Sequence, residues 1–291
     1  RSAVSGRILS FYSPFTAIPN ADVTLAPGTF VARANQSGDF SIADVPSGTY
    51  VISAEKEGFA IDSDTITVTL GQPLFVELNL DALPIVNSVS INSCHISRNF
   101  PQEDLYFLEI KADVDDPDGV NDIDFVQMSV PSLNFSDTLD ITQSPGRFAK
   151  IISSSQLPLT DIRDILGHQI VLSAHDRPGF NKSSQPRLLA RIIERTPLTD
   201  SPNQSETLSD ATPLLTWRPV DLLFDFTYVI EVVRVDFGFN TTVWRREGID
   251  KTITSIAVAD ALQAGVYFWT VSVFDRFGNW SRSKEAPFRI N

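Results

Sequence analysis

Short runs of alternating apolar and polar residues dominate this chain, and Gly, Pro, Asp, Asn or Ser interrupts them at close intervals. Alternation with a period of two marks strands that bury one face. Tyr228, Ile230 and Val232, for example, alternate with Val229, Glu231 and Val233. The fullest instance is GVYFWTVSVFDRFGNWSRS at 265–283, which reads as a long strand, a tight D-R-F-G turn and the start of a partner strand. A second copy, QIVLSAHDRPGFNKSS, occupies 169–184. Setting Asp176 on Asp275 also aligns Arg177 with Arg276, Gly179 with Gly278 and Ser173 with Ser272. Each copy precedes one more apolar run, at 188–193 and 287–290. A closing strand–turn–strand that occurs twice predicts related β-sandwich units in tandem.

Upstream of the repeat, residues 1–83 carry their own pattern. Val4, Ile8, Val23 and Leu25 fit inward positions of two strands. Gln36-Ser37-Gly38-Asp39 reads as a hairpin turn into Phe40 and Ile42, and Pro46-Ser47-Gly48 as a further turn into Tyr50 and Ile52. The residues that set these turns also make a longer motif. It comprises V-x-G near the start, I-P-N-A-x-V at 18–23 and S-G-D-F-S-I-A-D-V-P-S-G-T-Y at 37–50, then E-G-F at 57–59 and the closing F-V-E-L-N-L. The stretch resembles the carboxypeptidase regulatory-like domain, a transthyretin-like sandwich. The resemblance implies a non-catalytic accessory or surface module. Phe11, Tyr12 and Phe15 crowd a loop around Pro14. They are expected to pack on the neighbouring unit or cap the sandwich, with a contact surface for sugar rings or a partner as the alternative.

Residues 84–194 follow a very short linker, Ala82-Leu83-Pro84. Strands are expected at 86–91, 105–114, 125–130, 138–142, 149–153, 169–175 and 188–193. One helical turn is expected at 160–166, with Thr160 or Asp161 as its N-cap. The number and spacing of strands fit an immunoglobulin-like sandwich lacking the Cys…Trp…Cys signature. Asp113, Asp115, Asp116, Asp118, Asp122 and Asp124 cluster in ADVDDPDGVNDID. Clustered carboxylates can ligate calcium, but the spacing is not that of an EF-hand and the distal Glu is absent. The expectation is a polar loop turned by Pro117-Asp118-Gly119, with no metal. It resembles the D-P-D-G loop of bacterial immunoglobulin-like modules. Cys94 and His95 are adjacent, whereas His168 and His175 stand apart, and none has a companion motif for nucleophilic or zinc chemistry.

Residues 195–291 begin with a polar stretch, then P-L-L-T-W, Y-x-I-E-V and A-L-Q-A-G-V-Y-F-W-T-V. These landmarks resemble the fibronectin type III domain. The resemblance implies an extracellular spacer or adhesion surface, with Trp217, Tyr228, Leu262, Tyr267 and Trp269 in the core. Trp244 and Trp280 fall near a strand edge and a turn and are the contact candidates here.

The chain has 291 residues and 20 Phe but one Cys and one Met, so an internal disulfide framework is excluded. A formal charge of -13 argues against non-specific binding to nucleic acid or anionic membrane. No apolar run reaches the length of a membrane span. Arg1 in place of an initiator Met suggests a processed or truncated chain. Together these readings predict an all-β protein of three tandem sandwiches, transthyretin-like, immunoglobulin-like and fibronectin type III-like. The function expected is non-enzymatic: a secreted or cell-surface structural or adhesion protein of bacterial type, extending to the repeating subunit of an extracellular fibre. Its partners would be copies of itself, other surface proteins or glycans, with no cofactor. The alternative is a carbohydrate-binding accessory region of a secreted hydrolase.

Overall fold

The computed structural model describes residues 1–99 and 101–291. The described residues form β-strands and short 3-10 turns, with no α-helix among them.

Seven strands enclose the first core. They are β1 (Ser2–Ser10), β2 (Asp22–Ala26), β3 (Phe30–Arg33), β4 (Asp39–Val45), β5 (Gly48–Glu55), β6 (Asp62–Val68) and β7 (Leu74–Leu80). They make two sheets, ordered β4-β1-β7 and β3-β2-β5-β6. Val4, Ile8, Val23, Leu25, Phe40, Ile42, Tyr50 and Ile52 all point between them, as the alternation requires. The 36–39 turn is not a hairpin between paired strands. It carries the chain from β3 in one sheet to β4 in the other, and the Asn35 side chain accepts the Ser37 and Asp39 amides. Gly6, the glycine of V-x-G, sits where a Cβ would lie 1.9 Å from the Val76 carbonyl oxygen. The parallel β1–β7 pair therefore needs a residue without a side chain there.

The second core lies within β8 (Ile85–Ile96), β9 (Leu105–Asp115), β10 (Ile123–Val130), β11 (Phe135–Thr138), β12 (Asp140–Ile141), β13 (Arg147–Ser153), β14 (Val171–Asp176) and β15 (Asn181–Ser183). One sheet runs β11-β10-β14-β15, and the facing sheet contains β12-β13-β9-β8. The single strand expected at 138–142 is divided between these sheets. Leu139 is buried at the crossover, and its amide donates to the Val126 carbonyl. Ile162–Ile165 is a 3-10 turn in which the Asp161 side chain accepts the Arg163 amide.

The third core is formed by β16 (Leu198–Ser201), β17 (Glu206–Leu208), β18 (Leu214–Arg218), β19 (Phe226–Asp236), β20 (Phe239–Asp250), β21 (Ser255–Ala257), β22 (Gly265–Asp275), β23 (Trp280–Arg282) and β24 (Ala286–Ile290). The sheet β16-β18-β21 covers one side. Trp217, Tyr228, Leu262, Tyr267 and Trp269 are buried between the layers. Their polar atoms are partly accommodated, since Trp269 Nε1 donates to the Pro202 carbonyl at 2.8 Å and Tyr267 donates to that of Gln263 at 2.7 Å.

The other side of the third core is not a separate sheet. Strand β23 pairs in parallel with β8, matching Trp280 with Cys94, Ser281 with His95 and Arg282 with Ile96. One sheet thus runs β12-β13-β9-β8-β23-β22-β19-β20 and backs both the second and third cores.

The strand expected at 188–193 does not form. That segment makes no ladder beyond the isolated bridge at Arg187. Its carbonyls, with that of Arg195, are instead taken by side chains of the shared sheet. Ser93 donates to Arg191, His95 Nδ1 meets Ile193 at 3.1 Å, and Ser281 donates to Arg195. Leu189 and Ile193 still bury their side chains, so an apolar run alone misread the segment as a strand.

Candidate functional site

The two junctions hold most of the buried polar chemistry. At the first, the chain leaves β7 through Asp81, Ala82 and Leu83. The Asp81 carbonyl accepts the Ala60 amide, and Leu83 donates to the Gly58 carbonyl. From the other side comes the loop between β9 and β10. Its six aspartates take different places: Asp115 and Asp124 face solvent, Asp113 pairs with Arg147 and Ser88, and Asp116 and Asp122, outside the strands, turn inward with Asp118 beside them. Asp118 accepts the Ala82 amide at 2.8 Å, and Asp122 accepts the Tyr12 hydroxyl at 2.5 Å. The loop is therefore bonded both to the linker and to the aromatic loop at 11–15.

Asp81, Asp118 and Asp122 each bring a carboxylate oxygen to within 4.8 Å of the others. Asp176 joins them from the turn after β14, where Arg177 donates its amide to the Asp122 carbonyl. Asp81 and Asp176 are each only 2% exposed. Both oxygens of Asp81, and Oδ2 of Asp116, Asp122 and Asp176, are buried without a hydrogen-bond donor. No ion pair among the described residues involves any of the five carboxylates. Burial, followed by repulsion from Asp176, Asp122, Asp118 and Asp116, pushes the Asp81 carboxyl up to about 7. Burial is also the main cause that pushes Asp116 up to about 6. The Tyr12 hydroxyl is raised, first by its bond to Asp122.

The second junction is built on the matching turn, but its charges are paired. Asp275 Oδ1 accepts the amides of Phe277 and Asn279, and Oδ2 accepts Asn279 Nδ2 at 3.0 Å. Arg191 completes the set, with Nε 3.2 Å from Oδ2. Its guanidinium lies 4.0 Å from the Phe224 ring centroid. Asn92 donates to the Phe277 carbonyl, and the Ser93 amide donates to Asn279 Oδ1. Gly278, at φ +90°, lies so close to Asn92 that a Cβ would fall 2.0 Å from its Nδ2.

This geometry places the five candidate aromatics. Phe11 and Phe15 are 43% and 52% exposed, while Tyr12 reaches the acidic loop. Trp280 is no free turn residue. Its ring stacks on Phe274 and meets Phe107 edge-on, so it is used within the second junction. Trp244 is half-buried on β20, against the third core. On the same hairpin Phe237 is fully exposed and Phe239 mostly so, a pair that the sequence reading passed over. The 11–15 loop touches the first junction through Tyr12 and keeps Phe11 and Phe15 exposed, whereas the 278–280 turn is taken up by the second junction.

Cys94 and His95 do not form a dyad. Neighbours on a strand point to opposite faces. The thiol is buried and pushed up to about 12 by that burial. His95 stacks on Tyr106, and its Nε2 lies 2.9 Å from Asp104. His175 stacks on Phe125. His168 Nδ1 contacts the exposed Ser132 hydroxyl at 2.7 Å. Among the described residues no carboxylate bonds that imidazole, so the orienting member of a triad is missing.

Residues 3–81 match the carboxypeptidase regulatory-like domain. No curated protein matches the sequence. Among solved structures, the FN1–FN3 domains of chicken CNTN1 align over 95% of this chain and 92% of theirs, at 12% identity and a TM-score of 0.35. The fibronectin(III)-like modules of Clostridium thermocellum CbhA align over 72% of this chain and 93% of theirs, at 13% identity and a TM-score of 0.32. A type II cohesin–X–dockerin complex of Acetivibrio cellulolyticus is 22% identical over 27% of this chain, at a TM-score of 0.24. The present chain spans 57% of the length of that last one. Asp81, the centre of the acidic cluster, is thus the final residue of the matched carboxypeptidase regulatory-like domain. The four carboxylates around it all come from the strands and loops that follow.

Proposed function

We propose that this chain is a non-enzymatic structural segment of a secreted or surface-displayed bacterial protein. In this reading, units at 1–83, 84–194 and 195–291 form a semi-rigid spacer that also offers a contact surface. The observation that carries it is the parallel pairing of β8 with β23, which continues one sheet across the second junction. A ladder fixes both distance and rotation between two cores, which a flexible linker does not. The contact surface assigned is the β19–β20 hairpin, with Phe237 and Phe239 at its tip and Trp244 on its edge strand, and separately Phe11 and Phe15 by the first junction.

Small-angle scattering from the 291-residue chain tests the spacer. The expected profile fits one fixed arrangement of the second and third cores. A profile that requires those cores to move independently overturns the reading. For the contact surface, Phe237→Ser with Phe239→Ser is expected to abolish adhesion to surface proteins while the melting temperature is retained. Glycan-array binding by the monomer that survives this change favours the carbohydrate-binding accessory role instead.

A further inference from the structure

We propose that the first junction is a calcium site, in which Asp81, Asp118 and Asp122 hold the ion with Asp116 and Asp176 beside them. The site goes beyond the spacer reading and stands independently of it. Two observations carry it. One is convergence: three carboxylate oxygens lie within 4.8 Å of one another although they come from the end of β7 and from the β9–β10 loop. The other is the state of the buried oxygens around them. Asp81 is almost wholly enclosed and neither of its oxygens receives a donor, and single oxygens of Asp116, Asp122 and Asp176 are in the same condition. A folded protein satisfies its buried polar atoms, and an enclosed carboxylate without donor or counter-charge is costly. The acidic turn at the second junction meets that demand with Arg191 and Asn279. Among the described residues no ion pair supplies a cation at the first junction.

The donor chemistry selects the ion. Every candidate ligand is a carboxylate oxygen, with no imidazole or thiolate among them. Hard oxygen sets suit calcium or magnesium rather than zinc or copper. Calcium accepts six to eight oxygens in adaptable geometry, whereas magnesium keeps most of its water and binds through one or two carboxylates. A pocket with this many enclosed carboxylates therefore fits calcium. Because Asp81 directly follows β7 of the first core and the other four lie on loops and strand ends around the second, a bound ion would clamp the two together.

Calorimetric titration of calcium into the chelator-stripped 291-residue chain tests the site. We expect one saturable binding event, a rise in melting temperature on adding calcium, and a weaker response to magnesium. Asp81→Asn and Asp122→Asn should each remove both effects. Asp115→Asn, on the solvent face of the same loop, should leave them intact. Should a site variant fold poorly, terbium gives a second measurement on the unaltered chain. Tyr12 bonds to Asp122, so ultraviolet excitation should sensitise terbium emission, and Tyr12→Phe should weaken it with every carboxylate in place. The absence of both binding heat and thermal shift at saturating calcium overturns the proposal. So does equal loss of binding in Asp115→Asn, which would make the interaction one of general surface charge.

Discussion

At the second junction Asp275 meets Arg191 and Asn279, whereas at the first Asp176 is one of four carboxylates around Asp81, with Asp116, Asp118 and Asp122. The turns themselves are alike. In each, the aspartate amide donates to a carbonyl further on, at Phe180 or Asn279, and Oδ1 gathers two backbone amides. The difference lies in the second oxygen, which has partners in Asp275 and none in Asp176. One repeated element has been used to join units in two ways. One junction is completed by groups of the chain, and the other leaves an excess of negative charge for something else to neutralise.

The largest expected effect comes from breaking the completed junction. Asp275→Ala leaves Arg191 and two turn amides without their acceptor, and a cost of about 3–5 kcal/mol is expected. Denaturant titration of the whole chain measures it, and a loss near zero would mean that the pairing contributes little. Gly278→Ala should follow at about 1–3 kcal/mol, because the added methyl group meets Asn92 and the backbone is left-handed there. At the first junction the sign should reverse. In chelator at pH 8, Asp81→Asn removes one charge from an unneutralised set, and a gain of about 1 kcal/mol is expected. A loss of stability in that variant would contradict the picture of an excess charge. The smallest perturbation is chemical labelling of Cys94. The buried thiol should resist alkylation at pH 8 in the native chain and react only as the second junction opens. Its labelling rate should rise in Gly278→Ala and stay unchanged in Asp81→Asn.

Much of the architecture could be read from local pattern. Val4, Ile8, Phe40 and Ile42 reveal strand faces because alternation is a property of neighbours, and the Asp176 and Asp275 turns reveal the repeat because their residues are contiguous. The match over residues 3–81 agrees with the resemblance drawn from V-x-G and S-G-D-F-S-I. What escaped depends on contacts between distant segments. A spacing rule for a single continuous site, applied to the acidic loop, is blind to Asp81 and Asp176. Their only local signal is a charged residue between Leu80 and Ala82 and the equivalence of Asp176 with Asp275. Likewise, the 188–193 run has the composition of a strand, but Ser93 and His95 take its carbonyls. Trp280 looked free because its partner Phe107 lies on β9, far upstream.

The β8–β23 ladder also bears on how the chain is made. Synthesis proceeds from the N-terminus, so β8 can pair with β9 long before β23 has emerged from the ribosome. Throughout that interval the far edge of β8 is open, and an open edge invites pairing with other nascent chains. The side chains on this edge include Asn92, Ser93, His95 and Ser97, polar groups that become buried only in the finished fold. They make the waiting edge a poor template for aggregation, and the same groups later receive β23 and the 191–195 segment.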